Sequence, residues 1–109
     1  MTAAERADAE KASDPWVEQR VIVPNPQGFH VRPAQQVASV ASQFDSDVVL
    51  RLGDQDVNAK STVHLMVLSA VQGTPFLVRA RGKDAEVAVA AVAALFAKGF
   101  DEMDGEEST

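Results

Sequence analysis

Residues 25–41, NPQGFHVRPAQQVASVA, change character part-way along. Asn25, Pro26, Gln27 and Gly28 are turn formers. From Val31 onward the apolar residues Val31, Ala34, Val37, Ala38 and Ala41, with Phe44 beyond, recur at threes and fours, a spacing that gathers them on one helical face. Pro33 suits only the start of such a helix, where its missing N–H has no intrahelical partner to lose. The stretch thus reads as a turn that delivers His30 and Arg32 to the mouth of a helix.

Working outward, QRVIVP (19–24) reads as a strand with Val21 and Val23 on one face, ended by Pro24. DVVLRL (47–52) and QDVN (55–58) flank Gly53 and Asp54 and predict a hairpin. Ser61 is placed to cap a helix running through TVHLMVLSAVQG, with Val63, Met66 and either Val67 or Ala70 expected inward and Gly73 ending it. PFLVRARG (75–82) alternates Phe76, Val78 and Ala80 against Leu77, Arg79 and Arg81, a strand pattern. Asp84 is a candidate cap for a last helix with Val87, Ala88, Ala91, Val92, Leu95 and Phe96 expected on its apolar face and Gly99 as its stop.

The order is strand, helix, strand, strand, helix, strand, helix. Amphipathic helices and alternating strands must cover one another, which predicts an α/β (α+β) fold with one face of a sheet buried beneath helices. At 109 residues the chain has room for one core. Its apolar fraction of 46% is largely alanine and valine, so close packing of small side chains is expected. We expect a domain over residues 18–98, a loosely attached extension over 1–17 and an acidic, disordered tail over 99–109.

Composition removes several function classes. With no cysteine there can be no disulfide, thiol nucleophile or cysteine-ligated metal. The glycines never reach the spacing of a phosphate-binding loop or dinucleotide fingerprint. The net charge of −6 resides at the ends: five acids and two bases in 1–18, five acids and no base in 99–109. The body between them is near neutral and lacks the dense basic stripe that nucleic acid requires. Neither a membrane span nor an export signal is expected.

His30 remains the residue of interest. Unpaired N–H groups and a positive dipole end gather at a helix N-terminus, so a phosphoryl group on the imidazole would meet donors there, joined by the Arg32 guanidinium. A neutral imidazole is nucleophilic, and a carrier needs no internal general base. Taken on the residues alone, three roles stay open: phosphoryl carriage, a turn-and-cap role with Arg32 a surface charge, and metal binding or other catalysis. His64 is the only other histidine, a thin basis for a metal site.

NPQGFHVRPA (25–34) followed by VNAKSTVHLMVLSAVQGTPFLVRARG (57–82) closely resembles the HPr phosphocarriers of the bacterial phosphoenolpyruvate-dependent sugar phosphotransferase system, over about residues 18–97. The resemblance implies an open-faced sandwich: a four-stranded antiparallel sheet covered on one face by three helices. It implies that His30 is phosphorylated on Nδ1 by enzyme I and passes the group to EIIA-type acceptor proteins. Arg32 then stabilises the phosphoryl group, and Pro33 belongs to the turn of the site. Ser61 falls on the regulatory serine modified by an HPr kinase/phosphorylase, whose product acts with a transcription regulator. A cytoplasmic monomer follows, with no cofactor, no metal, no direct contact with nucleic acid, and no independent small-molecule active site.

The chain departs from the family pattern at Gln27, Phe29 and above all Thr62, where a larger apolar residue is usual in the docking patch. Two other functions therefore stand beside the leading one. The chain can be a regulatory relative, serving a nitrogen-related phosphorelay or acting as an adaptor through Ser61, or a non-catalytic binding module.

Overall fold

The computed structural model describes residues 14–101; the remainder of the expected extension (1–13) and of the acidic tail (102–109) lies outside the described residues. Its elements follow the expected order: β1 (Val17–Ile22), α1 (Val31–Ala41), β2 (Asp47–Leu52), β3 (Gln55–Asn58), α2 (Thr62–Leu65), β4 (Pro75–Arg81) and α3 (Ala85–Ala97), then a 3-10 turn at Gly99–Asp101. The four strands form one antiparallel sheet in the order β1-β4-β2-β3, with Val21 opposite Phe76, Leu50 opposite Val78 and Leu50 opposite Val57. The open-faced sandwich is the fold observed.

Alternation decides which sheet face is covered. Val21, Val48, Leu50, Val57, Phe76, Val78 and Ala80 are buried on one face. The helices cover that face with Ala34, Val37, Ala38 and Ala41 of α1, Leu65 of α2, and Ala85, Ala88, Val89, Val92, Ala93 and Phe96 of α3. Small residues let the helices approach the sheet closely, and aromatic bulk is confined to one place. Phe29, Phe76, Phe96 and Phe100 form a cluster with ring centroids 4.8–6.2 Å apart. Each such buried ring contributes roughly 1.5–3 kcal/mol of transfer free energy.

Several expectations need correction. α2 is a single turn of helix, ended by Met66, so helical spacing does not extend beyond it. Leu65 and Leu68 are the buried residues there, while Val63, Met66 and Val67 are exposed. The buried face of α3 is rotated: Val89 and Ala93 face the core and Val87 faces solvent. Alanine and valine all round α3 leave its orientation to the surrounding packing, which sequence spacing cannot read. Val31 is half exposed rather than core.

Asp84 occupies the N-cap position of α3 without capping it. Its carboxylate instead accepts from the backbone N–H groups of Asp45 (3.0 Å) and Ser46 (2.9 Å) and from the Ser46 hydroxyl. It thereby ties the end of the α1–β2 loop to the start of α3.

The uncovered sheet face is polar and paired. Arg79 joins Glu18 and Asp56, Arg51 joins Asp56, and Arg81 approaches Asp47. Trp16 lies over Arg79 and Arg81, 4.3 and 4.6 Å from their guanidinium carbons. These arginines are held among acids and one indole. Among the described residues, no helix is long and apolar enough to cross a membrane.

Candidate functional site

The site is assembled from the loop between β1 and α1. Asn25, buried, donates from Nδ2 to the Gly28 carbonyl at 2.7 Å, and its own carbonyl accepts from the Gly28 N–H at 3.0 Å. Gly28 has φ +81°, and a Cβ there would meet the Ala70 carbonyl oxygen at 2.5 Å. Only glycine permits both the left-handed backbone and this close approach. The next residue then docks: the Phe29 N–H donates to Ala70 O at 2.8 Å, and its ring enters the aromatic cluster. Phe29 is thus the anchor directly behind His30.

His30 is the N-cap of α1, in extended conformation at φ −121° and ψ −163°. Its carbonyl accepts the first intrahelical bond, from Ala34 N–H at 3.0 Å. Its Nδ1 accepts from the Arg32 backbone N–H at 3.4 Å. A ring nitrogen that accepts an N–H carries its lone pair, so this geometry selects the neutral tautomer with the proton on Nε2. Pro33 supplies no N–H, which leaves Val31 and Arg32 as the early donors of the helix. Pro33 is itself buried and fixes the first turn.

The Arg32 side chain is exposed and lines an open groove of about 530 Å³ with Gln35, Gln36, Ser39, Val40, Leu95 and Asp101. Ser61 caps α2, which packs against α1, with its Oγ accepting from the His64 N–H at 3.2 Å. Its hydroxyl oxygen thus serves the fold as a cap. His64 is exposed on the same turn.

Exposed apolar side chains come from the segments that converge here: Val31 on α1, Val63, Met66 and Val67 around α2, and Val71 beside Gly28. Exposed apolar side chains gathered in this way are a feature that interaction surfaces share. Among the described residues, no group of three or more His, Cys, Asp or Glu gathers as metal ligands.

A family model described as the phosphotransferase system HPr component phosphorylation site matches residues 17–98. The chain belongs to the HPr phosphocarrier family. This HPr-family chain is 39% identical over 87 residues to the phosphocarrier protein NPr of Escherichia coli K12, covering 79% of the chain and 97% of that relative. It is 37% identical over 86 residues to the phosphocarrier protein HPr of Xylella fastidiosa, with the same coverage of each. The crystal structure of an HPr from Thermoanaerobacter tengcongensis superposes with a TM-score of 0.75 at 34% identity, covering 79% of this chain and 97% of that one.

Four features of this region were not read from sequence. The anchoring by Phe29 and the contact of Gly28 with Ala70 are long-range and leave only a lone glycine as a local signal. The exposure of Met66 and Val67 follows from the early end of α2. Asp101 reaches the Arg32 groove through a turn that helical spacing cannot describe.

Proposed function

We propose that this HPr-family chain carries a phosphoryl group on His30 Nδ1, accepting it from enzyme I and giving it to EIIA-type acceptors. The observation that carries the reading is the Nδ1 lone pair at the N-terminus of α1, beside the N–H of Arg32. In the accepting step that lone pair attacks phosphorus as the phosphorus–nitrogen bond on the donor histidine breaks. The donor nitrogen takes back its electron pair, and the His30 proton stays on Nε2. The N–H groups of Val31 and Arg32 and the Arg32 guanidinium then face the phosphoryl oxygens. Pro33 keeps the turn in place, and the exposed apolar residues around His30 dock successive partners.

Incubation with enzyme I and labelled phosphoenolpyruvate tests this. Acid-labile label is expected on the wild-type chain and none on His30→Ala, with both folded. Label of equal yield on the folded variant would falsify the assignment.

Ser61 is proposed as a second, regulatory site. Ser61 caps the turn that carries exposed Val63 and leads into exposed Met66 and Val67, so a phosphate there would bring about two negative charges to an apolar docking face. An HPr kinase/phosphorylase and a transcription regulator are the partners this implies. A purified kinase that leaves Ser61 unmodified while modifying a known substrate serine would overturn it.

The similarity to NPr supports a second reading, in which the pathway served is nitrogen-related rather than sugar transport. Comparing phosphoryl acceptance from enzyme I of the sugar system and from its nitrogen-related homologue discriminates the two. Residues 18–98 are proposed as the carrier domain, acting as a cytoplasmic monomer, since successive docking needs the mouth of α1 open.

A further inference from the structure

The backbone leaves α3 in an uncommon way. Gly99 takes φ +74°, the ordinary left-handed stop of a helix. The chain then stays left-handed for two more residues, Phe100 at φ +57° and Asp101 at φ +61°, neither of them glycine. A bulky residue in that region is costly, and such a backbone persists only where its surroundings hold it. An aromatic side chain that merely fills a core does so from relaxed backbone, so the contacts of Phe100 are the place to look for what holds this turn.

Those contacts run to the two segments that meet at His30. The Phe100 ring is buried and set edge-on to Phe29 and Phe96, with centroids 6.2 and 4.8 Å away. Phe29 immediately precedes His30, and its ring lies parallel to that of Phe96 at 6.1 Å. The Phe100 carbonyl accepts from Gln36 Nε2 at 3.1 Å. Gln36 stands in α1 four residues on from Arg32, a spacing that puts both on one side of the helix. One residue thus grips the site loop through its ring and the site helix through its carbonyl. The contact from the Arg32 N–H to His30 Nδ1 joins that same loop and helix, and at 3.4 Å it is long. A bond at the limit of hydrogen-bonding distance tolerates little relative movement of its two parts.

We propose that Phe100 is a positioning residue for phosphoryl transfer: together with Gln36 it clamps the β1–α1 loop against α1 and so holds the His30 imidazole against the Arg32 amide. Phe100 touches no reacting atom and acts through Phe29. The inference rests on the carrier reading of His30 and extends the site to the turn that follows α3.

Three variants of the full chain test it. Gln36→Ala removes the partner of the carbonyl, Phe100→Leu keeps apolar bulk without the ring edge, and Phe100→Gly accepts the left-handed backbone but has no ring. With phospho-enzyme I as donor, the saturating rate of acceptance should fall about two- to fivefold in the first two and on the order of tenfold in Phe100→Gly, short of the roughly 100-fold that a 1 Å misplacement can cost. KM should not change, because exposed Val63, Met66 and Val67 are untouched. Loss of stability alone does the opposite: a fraction of unfolded chain lowers the concentration of competent acceptor, which raises KM and leaves the saturating rate as it was. Unchanged saturating rates, or a rise in KM alone, would overturn the proposal.

The imidazole ¹⁵N resonances give a second reading that needs no transfer. At about pH 8, where an ordinary imidazole is neutral, the His30 ring nitrogens should move toward free-histidine values in the variants. Those of His64, exposed on α2, should stay in place and serve as the internal control. A His30 spectrum identical to wild type, or equal shifts of both histidines, would also overturn the clamp. Failure of the carrier reading is distinguishable: it shows as a wild-type chain that takes no label from enzyme I, whatever the imidazole spectra of the variants.

Discussion

The backbone N–H of Arg32 points at Nδ1 of His30 from 3.4 Å, so one residue contributes to the site in two separable ways. Its amide orients the imidazole and its guanidinium faces the groove. The first contribution belongs to the helix and survives any side chain; the second belongs to arginine alone.

Replacing Arg32 by alanine should therefore leave folding and the His30 tautomer intact while slowing transfer. A charge-assisted contact of about 1.5–3 kcal/mol corresponds to a loss of roughly 10- to 100-fold. Lysine keeps the charge but not the planar fork, so Arg32→Lys should fall between the two. Rapid-quench kinetics with phospho-enzyme I measures both. Equal rates for all three chains would remove the guanidinium from the mechanism.

Gly28→Ala should act through the Phe29 anchor. The new Cβ meets the Ala70 carbonyl at 2.5 Å in a backbone that alanine disfavours, so the loop must retreat from Ala70. A destabilisation of about 1–3 kcal/mol is expected in urea unfolding, with loss of protection at the Phe29 amide. A chain as stable as wild type, its Phe29 amide still protected, would contradict the anchoring role.

Asp84 links stability to pH. Burial raises the affinity of its carboxyl for a proton, but the Ser46 hydroxyl and the N–H groups of Asp45 and Ser46 outweigh it and hold the group below the usual value. A carboxyl with a depressed folded value stabilises above its unfolded value, near pH 3.9, and the contribution is lost as pH falls through the folded value. Asp84→Ala should cost about 1–2 kcal/mol at neutral pH, moderated by solvent. The gap to wild type should close below about pH 4. A gap that stays constant from pH 7 to pH 2.5 would show that the carboxylate is not its source.

Ser61 separates folding from regulation. Ser61→Ala removes the oxygen that accepts the His64 N–H and should cost roughly 0.5–2 kcal/mol. Ser61→Asp keeps an acceptor but adds charge beside Val63, Met66 and Val67, so acceptance from enzyme I should fall more than stability does. Calorimetry paired with transfer kinetics reads both quantities; parallel losses in the two variants would assign Ser61 to the fold alone.

The elements were legible where local chemistry was decisive. Alternation in 75–82 set Phe76, Val78 and Ala80 on one face, which the structure buries, and Pro33 marked the start of α1. Legibility failed where tertiary packing chose among near-equal options. Every face of α3 is apolar enough to bury, so the contact surface, not the spacing, selected Val89 over Val87. The run after Ser61 keeps helical composition, yet the chain turns at Met66 and buries Leu68 in its place. His30 and Arg32 were legible as a pair because a helix mouth has a local signature. Phe29, Ala70, Phe100 and Asp101 join the site only through contacts distant in sequence.

The account depends on which ring nitrogen of His30 takes the phosphoryl group. ¹⁵N-edited NMR of the imidazole, in the full chain phosphorylated by enzyme I, reads it directly. Phosphorus bonded to Nδ1, with the proton retained on Nε2, is the result expected. Phosphorus on Nε2, or on any residue other than His30, would contradict it.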